Sequence, residues 1–378
     1  MAGTDYLIEA ISSSSDLPKL ETDWNRLSNT SATPNAFATY GWFRSWYERL
    51  ASDYHSSQFR PHVLILKQGG AVVGLCPLTF RRPSRFGFAV RKLEFAGVHA
   101  DYNDLVLGND LDGQISAVVD YLAQTSEKWD VLDLRELRDT GETTELLKNA
   151  LARAGLPYFV SLEPEGCPYL PIDGDAACLM KRLSGHVRST LRKRSERAAV
   201  EGLNLRIIEN PQDEPGLLDS LVALDWKKHV HKSSATFVGA YPEVFQSLFD
   251  TLGPRGWLYV AMLELKGNPI AFQLGFRCGR KLWDYTKAYD RSFSSFAPGT
   301  LLLPALLEYG FEHGYDEYDF LRGEEPYKVV WSTGCHRRFR LLIWNQRGIS
   351  RLRKFISFDV KTAIHNLWGT TLLSRPRA

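Results

Sequence analysis

Trp257-Leu-Tyr-Val-Ala-Met-Leu-Glu-Leu265 is followed by Lys266-Gly-Asn-Pro269 and then by Ile270-Ala-Phe-Gln-Leu-Gly-Phe276. Val, Ile and Phe fit a pleated surface, and a glycine in a short turn supplies the positive φ that a tight reversal needs. The stretch therefore predicts a β-hairpin. The first half of the chain repeats this order, with His62–Leu66 and Ala71–Phe80 on either side of a Lys-Gln-Gly-Gly turn.

The likeness between the halves continues downstream, where a helix-like segment leads into a short strand. Residues 115–126 precede Trp129-Asp-Val-Leu-Asp-Leu134, and residues 301–313 precede Tyr315-Asp-Glu-Tyr-Asp-Phe320. The same six-residue pattern, the same preceding helix and the same upstream hairpin indicate an internal repeat. We predict an α/β (α+β) fold with two tandem units, each a mixed twisted sheet flanked by helices.

The turn-forming segment Glu163–Pro168 is the natural boundary between these units. We predict an N-terminal extension (1–30), a first unit (31–165), a second unit (168–345) and a tail (346–378).

Composition excludes several classes of protein. The 378 residues are 44% apolar and carry a formal charge of only +2, so the chain can bury a core and is not coated with a nucleic-acid-binding surface. The five cysteines are scattered without a CxxC pair, which indicates reduced thiols rather than disulfides or a zinc site. With no signal-like or membrane-spanning stretch, we expect a cytoplasmic protein, with the inner-membrane periphery as an alternative.

Two segments are strongly basic. Residues 177–201 predict one long basic helix, which includes Arg188 and Arg192. These cations either meet the phosphates of an acceptor or coat a solvated face. From residue 337 onwards there are ten Lys or Arg and one acid, a net charge of +9, which leaves −7 on the first 336 residues. Within the tail, apolar residues recur at helical spacing between the cations, so it either lies on an anionic membrane or docks on the body of the protein.

A phosphate site is expected where a helix begins, because free backbone N–H groups and the helix dipole point there. The second unit offers a loop from Asp290 to Thr300, with no acid after Asp290. The matching loop of the first unit contains Asp110 and Asp112, which would repel phosphate. The second unit is therefore the candidate donor site, built from Ser294, Ser295, Phe296, Pro298, Gly299 and Thr300.

The order of hairpin, strand, phosphate-type loop, helix and strand resembles the core of the GNAT acyltransferases. Two copies in tandem resemble the Fem-type and CelD-type branch, through residues 289–299, 318–323 and 325–331. The basic segment 188–202 is similar to the one that opens the second Fem-type unit. The glycine-rich donor loop of ordinary GNAT enzymes is reduced here to Pro298-Gly299-Thr300.

The resemblance implies acyl transfer to an amine from an acyl-CoA thioester, either acetyl-CoA or a longer chain, without a metal. It also implies that Lys328, next to Tyr327, lies near the reacting centre and stabilises an oxyanion or holds a phosphate. Asp290 and Asp319, at strand ends, are candidates to orient or deprotonate the amine. The alternatives are that Asp319 caps a turn and that Lys328 is a solvated strand residue.

The acceptor site is expected to include polar residues of the first unit. His99, Asp101 and Tyr102 lie in a polar loop that could face the second unit or merely form surface. Trp226 and His229 are expected at a helix end near the same cleft. His229 and His231 lack the further ligands that a metal site needs.

We therefore expect an N-acyltransferase whose acceptor is a small-molecule or lipid amine and whose partner is not nucleic acid. CelD likeness suggests an amino sugar of a polysaccharide precursor, and the tail suggests a long-chain amino alcohol, as in bacterial ceramide synthesis. The alternatives are a Fem-type aminoacyl transferase, although no coiled-coil arm is inserted in the second unit, and a non-catalytic scaffold of a polysaccharide-synthesis complex.

Overall fold

The computed structural model describes residues 6–85, 88–96, 99–138, 142–173, 183–227 and 237–345. Its first elements, in chain order, are β1 (Leu7–Ile11), α1 (Glu21–Thr30), α2 (Tyr40–Ala51), β2 (Phe59–Gln68), β3 (Ala71–Arg81), β4 (Ser84–Arg85), β5 (Phe88–Ala89), β6 (Lys92–Phe95), β7 (Val106–Leu107), α3 (Leu111–Gln124), β8 (Val131–Arg138), α4 (Glu142–Arg153) and β9 (Tyr158–Leu162).

The remaining elements are β10 (Cys167–Pro171), α5 (Gly185–Glu201), β11 (Leu203–Ile208), α6 (Leu217–Lys227), α7 (Pro242–Leu252), β12 (Leu258–Leu265), β13 (Asn268–Cys278), β14 (Lys281–Tyr289), α8 (Pro298–Glu312), β15 (Glu317–Asp319), α9 (Pro326–Trp331), β16 (Gly334–His336) and β17 (Arg338–Trp344).

Both predicted hairpins are present. Strands β2 and β3 pair antiparallel, and so do β12 and β13. The first turn has φ values of 57° at Gly69 and 83° at Gly70, and the second has 51° at Lys266 and 79° at Gly267. Positive φ at both central residues is the geometry of the tight turns that join twisted antiparallel strands.

Two mixed sheets form the body of the protein, as predicted. The first has the order β1-β2-β3-β6-β8-β17-β9, with β7 paired to β3, and the second has the order β11-β12-β13-β14-β15-β10-β16. Each contains one parallel pair among antiparallel ones, β6 with β8 and β14 with β15. Helix α3 precedes β8 and α8 precedes β15, so each parallel pair is bridged by a helical crossover.

One strand of the predicted second unit lies in the first sheet. Strand β17, which the predicted second unit includes, pairs with β8 and β9 in the first sheet. Strand β10, which begins at the predicted boundary, lies between β15 and β16 in the second sheet. The predicted N-terminal extension contributes β1, which pairs with β2. The predicted boundary between the units therefore does not coincide with the boundary between the sheets. The chain passes from the first sheet to the second before β10 and back again before β17, which ties the units together.

The units also share an apolar core. Phe37 and Trp42 of the first unit pack with Phe276 and Trp283 of the second, and the rings of Phe37 and Trp283 stack with centroids 5.3 Å apart. A continuous core across the boundary holds the facing loops of the two units in fixed positions.

Some predicted features lie outside the described residues. These are the N-terminal part of the basic helix, with Lys181 and Arg182, as well as His229, Cys178 and the tail 346–378. The described part of the basic helix is α5. None of the helices in the described ranges has the length and apolar character needed to cross a membrane.

Candidate active site between the two units

The candidate site lies where β14 and β15 part. The two strands pair only from Lys281 to Trp283, and β14 then continues to Tyr289 while the chain after Asp319 turns away. A cavity of about 450 Å³ occupies the gap. Gly299 and Thr300 line one part of it, and Asp101 and Lys328 line another. This volume is within the range of small-molecule sites.

The N-terminus of α8 forms the donor end of the cavity. Ala297, at φ 49°, precedes the helix, and no side chain caps it. A β-carbon at Gly299 would have no neighbouring atom within 4 Å, so the space beside this glycine is open. Pro298 has no N–H and the Thr300 N–H donates to the Ala297 carbonyl at 2.9 Å, so Gly299 carries the first-turn N–H that can bind an anion. Of the predicted donor residues, Gly299 and Thr300 line the cavity, whereas Ser294, Ser295, Phe296 and Pro298 do not.

The basic helix α5 lies beside this donor end. Arg194 Nη1 donates to Thr300 Oγ1 at 3.0 Å, and the Arg197 guanidinium lies 4.9 Å from the centroid of the Phe296 ring. Arg192 is exposed and pairs with Glu196 at 3.7 Å, and Arg188 is also exposed on the same helix. Neither lines the cavity. The helix therefore presents its cations near the predicted donor phosphates rather than near the acceptor.

Asp101 is the first unit's contribution to the cavity. It is 6% exposed, and its Oδ2 accepts a hydrogen bond of 3.1 Å from the backbone N–H of Arg322. The Arg322 side chain also approaches it, with Nε 3.3 Å from Oδ1. Burial raises the pKa of Asp101, and Arg322 opposes that rise. A carboxylate with a raised pKa is a better base than an exposed one.

Lys328 lies on α9 and is only 4% exposed, in contrast to the alternative of a solvated strand residue. Its Nζ donates to the Arg322 carbonyl at 2.6 Å and pairs with Glu325 at 3.0 Å. The Arg322 residue thus binds Asp101 through its N–H and Lys328 through its carbonyl. One residue holds the candidate groups of both units on the same wall.

Asp319 and Tyr102 meet each other but do not line the cavity. The Tyr102 hydroxyl donates to Asp319 Oδ2 at 2.8 Å, and the Leu321 N–H donates to Oδ1 at 2.8 Å. Burial raises the pKa of Asp319 to about 6, although Arg138 lies 3.8 Å away. The predicted turn-capping role of Asp319 matches these contacts, and its second partner comes from the first unit.

The remaining predicted residues lie elsewhere. Asp290 accepts from the Ser292 N–H at 3.0 Å and pairs with Lys227 at 3.0 Å, outside the cavity. The His99 ring packs between aromatic residues, with Trp46 at 4.5 Å and Phe237 at 4.9 Å. Trp226 is 47% exposed near the end of α6 and does not line the cavity.

Tyr327 lines the cavity, as predicted, and it lies beside two residues that the sequence analysis missed. Lys287 Nζ is 4.2 Å from the Tyr327 ring centroid and 2.5 Å from Asp284 Oδ2. Asp284 is 4% exposed and lies on β14 next to a bulge at which Tyr285 has no partner on β13. The sequence signal for Asp284 was its position inside the apolar run Leu282-Trp283-Asp284-Tyr285, because a carboxylate is costly to bury in a strand without a partner.

Glu317, Asp319 and His336 form a cluster of metal-ligand type in the seam between the units, with ligand atoms within 4.8 Å of one another. However, Glu317 Oε1 already pairs with Lys281 at 2.9 Å and with Arg138 at 3.6 Å. These two cations balance the two carboxylates, so the cluster does not need a metal ion to offset its charge.

Residues 185–329 match the family model described as "Acetyltransferase (GNAT) domain". Solved structures share the fold over almost the whole chain. FemX has a TM-score of 0.59 at 13% identity, covering 90% of this chain and 98% of its own. A conserved protein of unknown function from Bacteroides thetaiotaomicron has a TM-score of 0.57 at 12% identity, covering 89% and 100%. L-PGS from Bacillus licheniformis has a TM-score of 0.51 at 14% identity, covering 78% and 87%. No curated protein matches the chain.

The fold and the matched domain define an enzyme of the acyltransferase class, and a GNAT domain implies an acyl-CoA donor. Residues 185–329 are a GNAT acetyltransferase domain, and the chain as a whole shares its fold with FemX. The predicted resemblance is confirmed at this level.

Proposed function

We propose that the protein transfers an acyl group from acyl-CoA to the amine of a cell-envelope component, in the cavity between β14 and β15. The observation that carries the proposal is the composition of that cavity. It joins an uncapped helix N-terminus, at Gly299, to a buried carboxylate, Asp101, and a buried amine, Lys328. Phosphate binding, proton transfer and carbonyl polarisation are the three tasks of such a reaction.

Donor binding is assigned to the start of α8 and to Arg194. The Gly299 N–H would donate to the diphosphate, and Arg194 would add a charge-assisted hydrogen bond. The open space beside Gly299 fits this use, since a phosphate can approach the backbone there. The acyl group would then extend along the cavity toward Lys328.

Each candidate group has one role. The bound thioester supplies an acyl carbon activated for attack by an amine. Asp101 takes the proton that the attacking amine loses as the C–N bond forms and the C–S bond breaks, and its raised pKa suits this role. Lys328 donates to the developing oxyanion, because its Nζ is buried and fixed by Arg322 and Glu325.

For the acceptor we propose an amino sugar of a polysaccharide precursor or a long-chain amino alcohol, with the enzyme in the cytoplasm or at the inner membrane. The basic amphipathic sequence of residues 346–378 supports contact with an anionic membrane surface. Acetyl-CoA and longer acyl-CoA donors are both compatible with the proposal.

The experiment is to incubate the purified protein with isotope-labelled acetyl- or palmitoyl-CoA and a cell lysate, and to identify labelled products by mass spectrometry. We expect labelled amides with the wild type and none with Lys328→Ala. The matched control is Lys148→Ala, which removes a partly exposed lysine that pairs with Glu145 on α4 and should leave labelling unchanged. Labelling that persists in Lys328→Ala, or is absent from the wild type, contradicts the proposal.

Fem-type aminoacyl transfer is the second candidate, favoured by the fold shared with FemX and by the basic helix at the donor end. The two candidates differ in their donors. Aminoacyl-tRNA as donor predicts labelling from a radioactive amino acid that disappears after RNase treatment of the lysate, with no labelling from acyl-CoA. A scaffold without catalysis predicts no increase in melting temperature with millimolar CoA, whereas a ligand that binds the native state raises it.

A further inference from the structure

A second cavity, of about 590 Å³, lies in the first unit where α3 ends, and it is strongly cationic. Arg60, Arg82, Arg91 and Lys128 line it together with one acid, Glu127, so the formal charge of its wall is four minus one, or +3. It shares no lining residue with the cavity between β14 and β15.

Among the described residues, three of these four cations have no carboxylate partner. Arg91 is paired, with its guanidinium 2.9 Å from Asp130 Oδ1. Within the described residues, Arg60, Arg82 and Lys128 have no carboxylate within ion-pair distance. Arg60 is half-buried against the Phe80 ring, 3.9 Å from its centroid. Arg82 and Lys128 are exposed, whereas a partly buried cation such as Arg60 is usually paired, so the wall lacks a carboxylate at Arg60.

The pKa of His62 shows the electrostatic effect of these cations. Burial, together with the nearby charges of Arg60 and Lys128, lowers the pKa of His62 to about 4. The adjacent end of α3 does not supply the missing negative charge. A helix C-terminus carries about half of an elementary charge, which is too little to balance three cations.

The other lining groups suit a phosphate ester. Ser12, Ser57 and Thr125 bring hydroxyl groups to the wall, and Tyr121 and Trp129 give it aromatic surface. Hydroxyl and guanidinium groups are strong donors to phosphate oxygens. The cavity is larger than a phosphate ion, so there is space for an organic group attached to it.

The cavity also lies where the described chain ends. The Asn345 side chain donates to the Ser126 carbonyl at 2.8 Å and to the Trp129 carbonyl. The sequence that follows, residues 346–378, contains seven Lys or Arg and one Asp, a net charge of +6.

We infer that the cavity lined by Arg60, Arg82 and Lys128 binds the phosphate group of a phosphate-bearing ligand, at a site separate from the donor site. The ligand is either a soluble phosphate ester or an anionic phospholipid headgroup. The inference rests on the charge and contents of this cavity and does not require the proposed acyl transfer.

The test uses the full-length protein and two probes. Inorganic pyrophosphate is titrated by calorimetry at constant ionic strength, with acetyl-CoA present at saturation to occupy the donor site. Vesicles of phosphatidylcholine with and without 30% phosphatidylglycerol are then tested by co-sedimentation. The variant is Arg60→Gln with Lys128→Gln, and the matched control is Lys148→Gln with Arg153→Gln, which removes a partly exposed and an exposed cation of the same unit.

We expect saturable pyrophosphate binding that the Arg60→Gln/Lys128→Gln variant weakens at least tenfold and the control weakens less than twofold. Vesicle binding that depends on phosphatidylglycerol and falls in the same variant identifies a lipid headgroup as the source. Pyrophosphate binding without vesicle binding identifies a soluble phosphate ester. The inference is overturned if neither probe binds saturably, or if both bind equally well to the variant and to the control.

Discussion

The helices α3 and α8 begin at equivalent places in the two units, but their N-termini differ. In α3, Asp110 caps the helix by accepting from the Gly113 N–H at 3.1 Å, and the Tyr6 hydroxyl donates to it at 2.6 Å. In α8 no side chain caps the helix, and Arg194 approaches its first turn. A carboxylate at a helix N-terminus occupies the place that an external anion would take.

The cavities beside these helices also differ in the acidic residues that line their helix ends. The cavity at α3 is larger, about 890 Å³, and Asp104, Asp110 and Glu142 line it. The cavity at α8 has no acid at its helix end. We therefore propose that the repeated α/β unit provides an anion site in one copy and excludes it in the other through the residues at one helix start. The first unit instead contributes Asp101 to the cavity of the second.

The largest effect is expected for Asp101→Asn. Removing a general base lowers a rate by about 100-fold or more, so labelled amide formation should fall by that factor while acyl-CoA still raises the melting temperature. The control is Asp104→Asn, three residues along the same loop but facing the α3 cavity. An unchanged rate in Asp101→Asn would mean that the first unit takes no part in the chemistry.

Asp101 also predicts the pH dependence of the wild type. Burial raises its pKa, and the base is active only when ionised. The rate should therefore fall as the pH decreases through this raised pKa, at a higher pH than an exposed aspartate would give. A pH-rate profile that is flat down to pH 4 would assign the base to another group.

Gly299→Asp would place a carboxylate at the N-terminus of α8, where α3 has Asp110. We expect acyl-CoA affinity to fall about thirtyfold, or ~2 kcal/mol, because the new carboxylate lies close to the phosphates. The free protein should keep its melting temperature, since a β-carbon at Gly299 meets no atom within 4 Å and an acid suits a helix N-terminus. Gly299→Asn is the neutral control, and equal loss of affinity in both variants would indicate a steric effect instead.

Arg194→Gln should weaken acyl-CoA binding about tenfold, or ~1.4 kcal/mol, and the loss should shrink at high salt because the contact is ionic. Arg192→Gln removes an exposed cation from the same helix and should change the affinity less than twofold. Calorimetric titrations at 50 and 500 mM salt measure both. Equal effects of the two variants would show that α5 acts only through its total charge.

The smallest effect concerns the two aspartates at matching positions of the repeat. Asp133 is held by Arg340 at 2.7 Å and Lys92 at 2.7 Å, which outweigh burial and keep its pKa low. Asp319 has Arg138 only at 3.8 Å, and its pKa is raised to about 6. A depressed pKa stabilises the folded state at neutral pH, and that stabilisation is lost in acid. A raised pKa stabilises it in acid, and that stabilisation is lost as the pH rises through about 6.

We therefore expect Asp133→Asn to lose more stability at pH 7 than at pH 2.5, and Asp319→Asn to lose more at pH 4 than at pH 7. The differences should be on the order of 1 kcal/mol. Urea unfolding at these pH values measures them. The same pH trend in both variants would show that the two copies do not differ in this respect.

Local sequence patterns predicted much of this fold. The two hairpins, the helix before each parallel strand and the uncapped start of α8 all depend on residues close together in the chain, so turn chemistry and periodicity reveal them. The same holds for part of the cavity lining. It includes four of the predicted site residues, each close to the start of a helix: Gly299, Thr300, Tyr327 and Lys328.

The contacts between the units could not be predicted in this way. Strand β17 pairs with β8, about 200 residues earlier, and hairpin patterns carry no information on such pairing. Glu136, at φ 61° in a bulge of β8, pairs with Arg338 and lies 3.7 Å from Arg322. That ion-pair chain sets Arg322, and through it Asp101 and Lys328, only once both sheets have formed. The contact between Asp319 and Tyr102 could not be predicted for the same reason, because Tyr102 comes from the other unit.

The most direct test is a crystal structure of the protein with acetyl-CoA bound. The account predicts diphosphate density within hydrogen-bond distance of the Gly299 N–H group, with Arg194 turned toward it and the thioester near Lys328 and Asp101. Diphosphate density beside Asp110, or a complex in which Gly299 and Thr300 touch no part of the ligand, would contradict it.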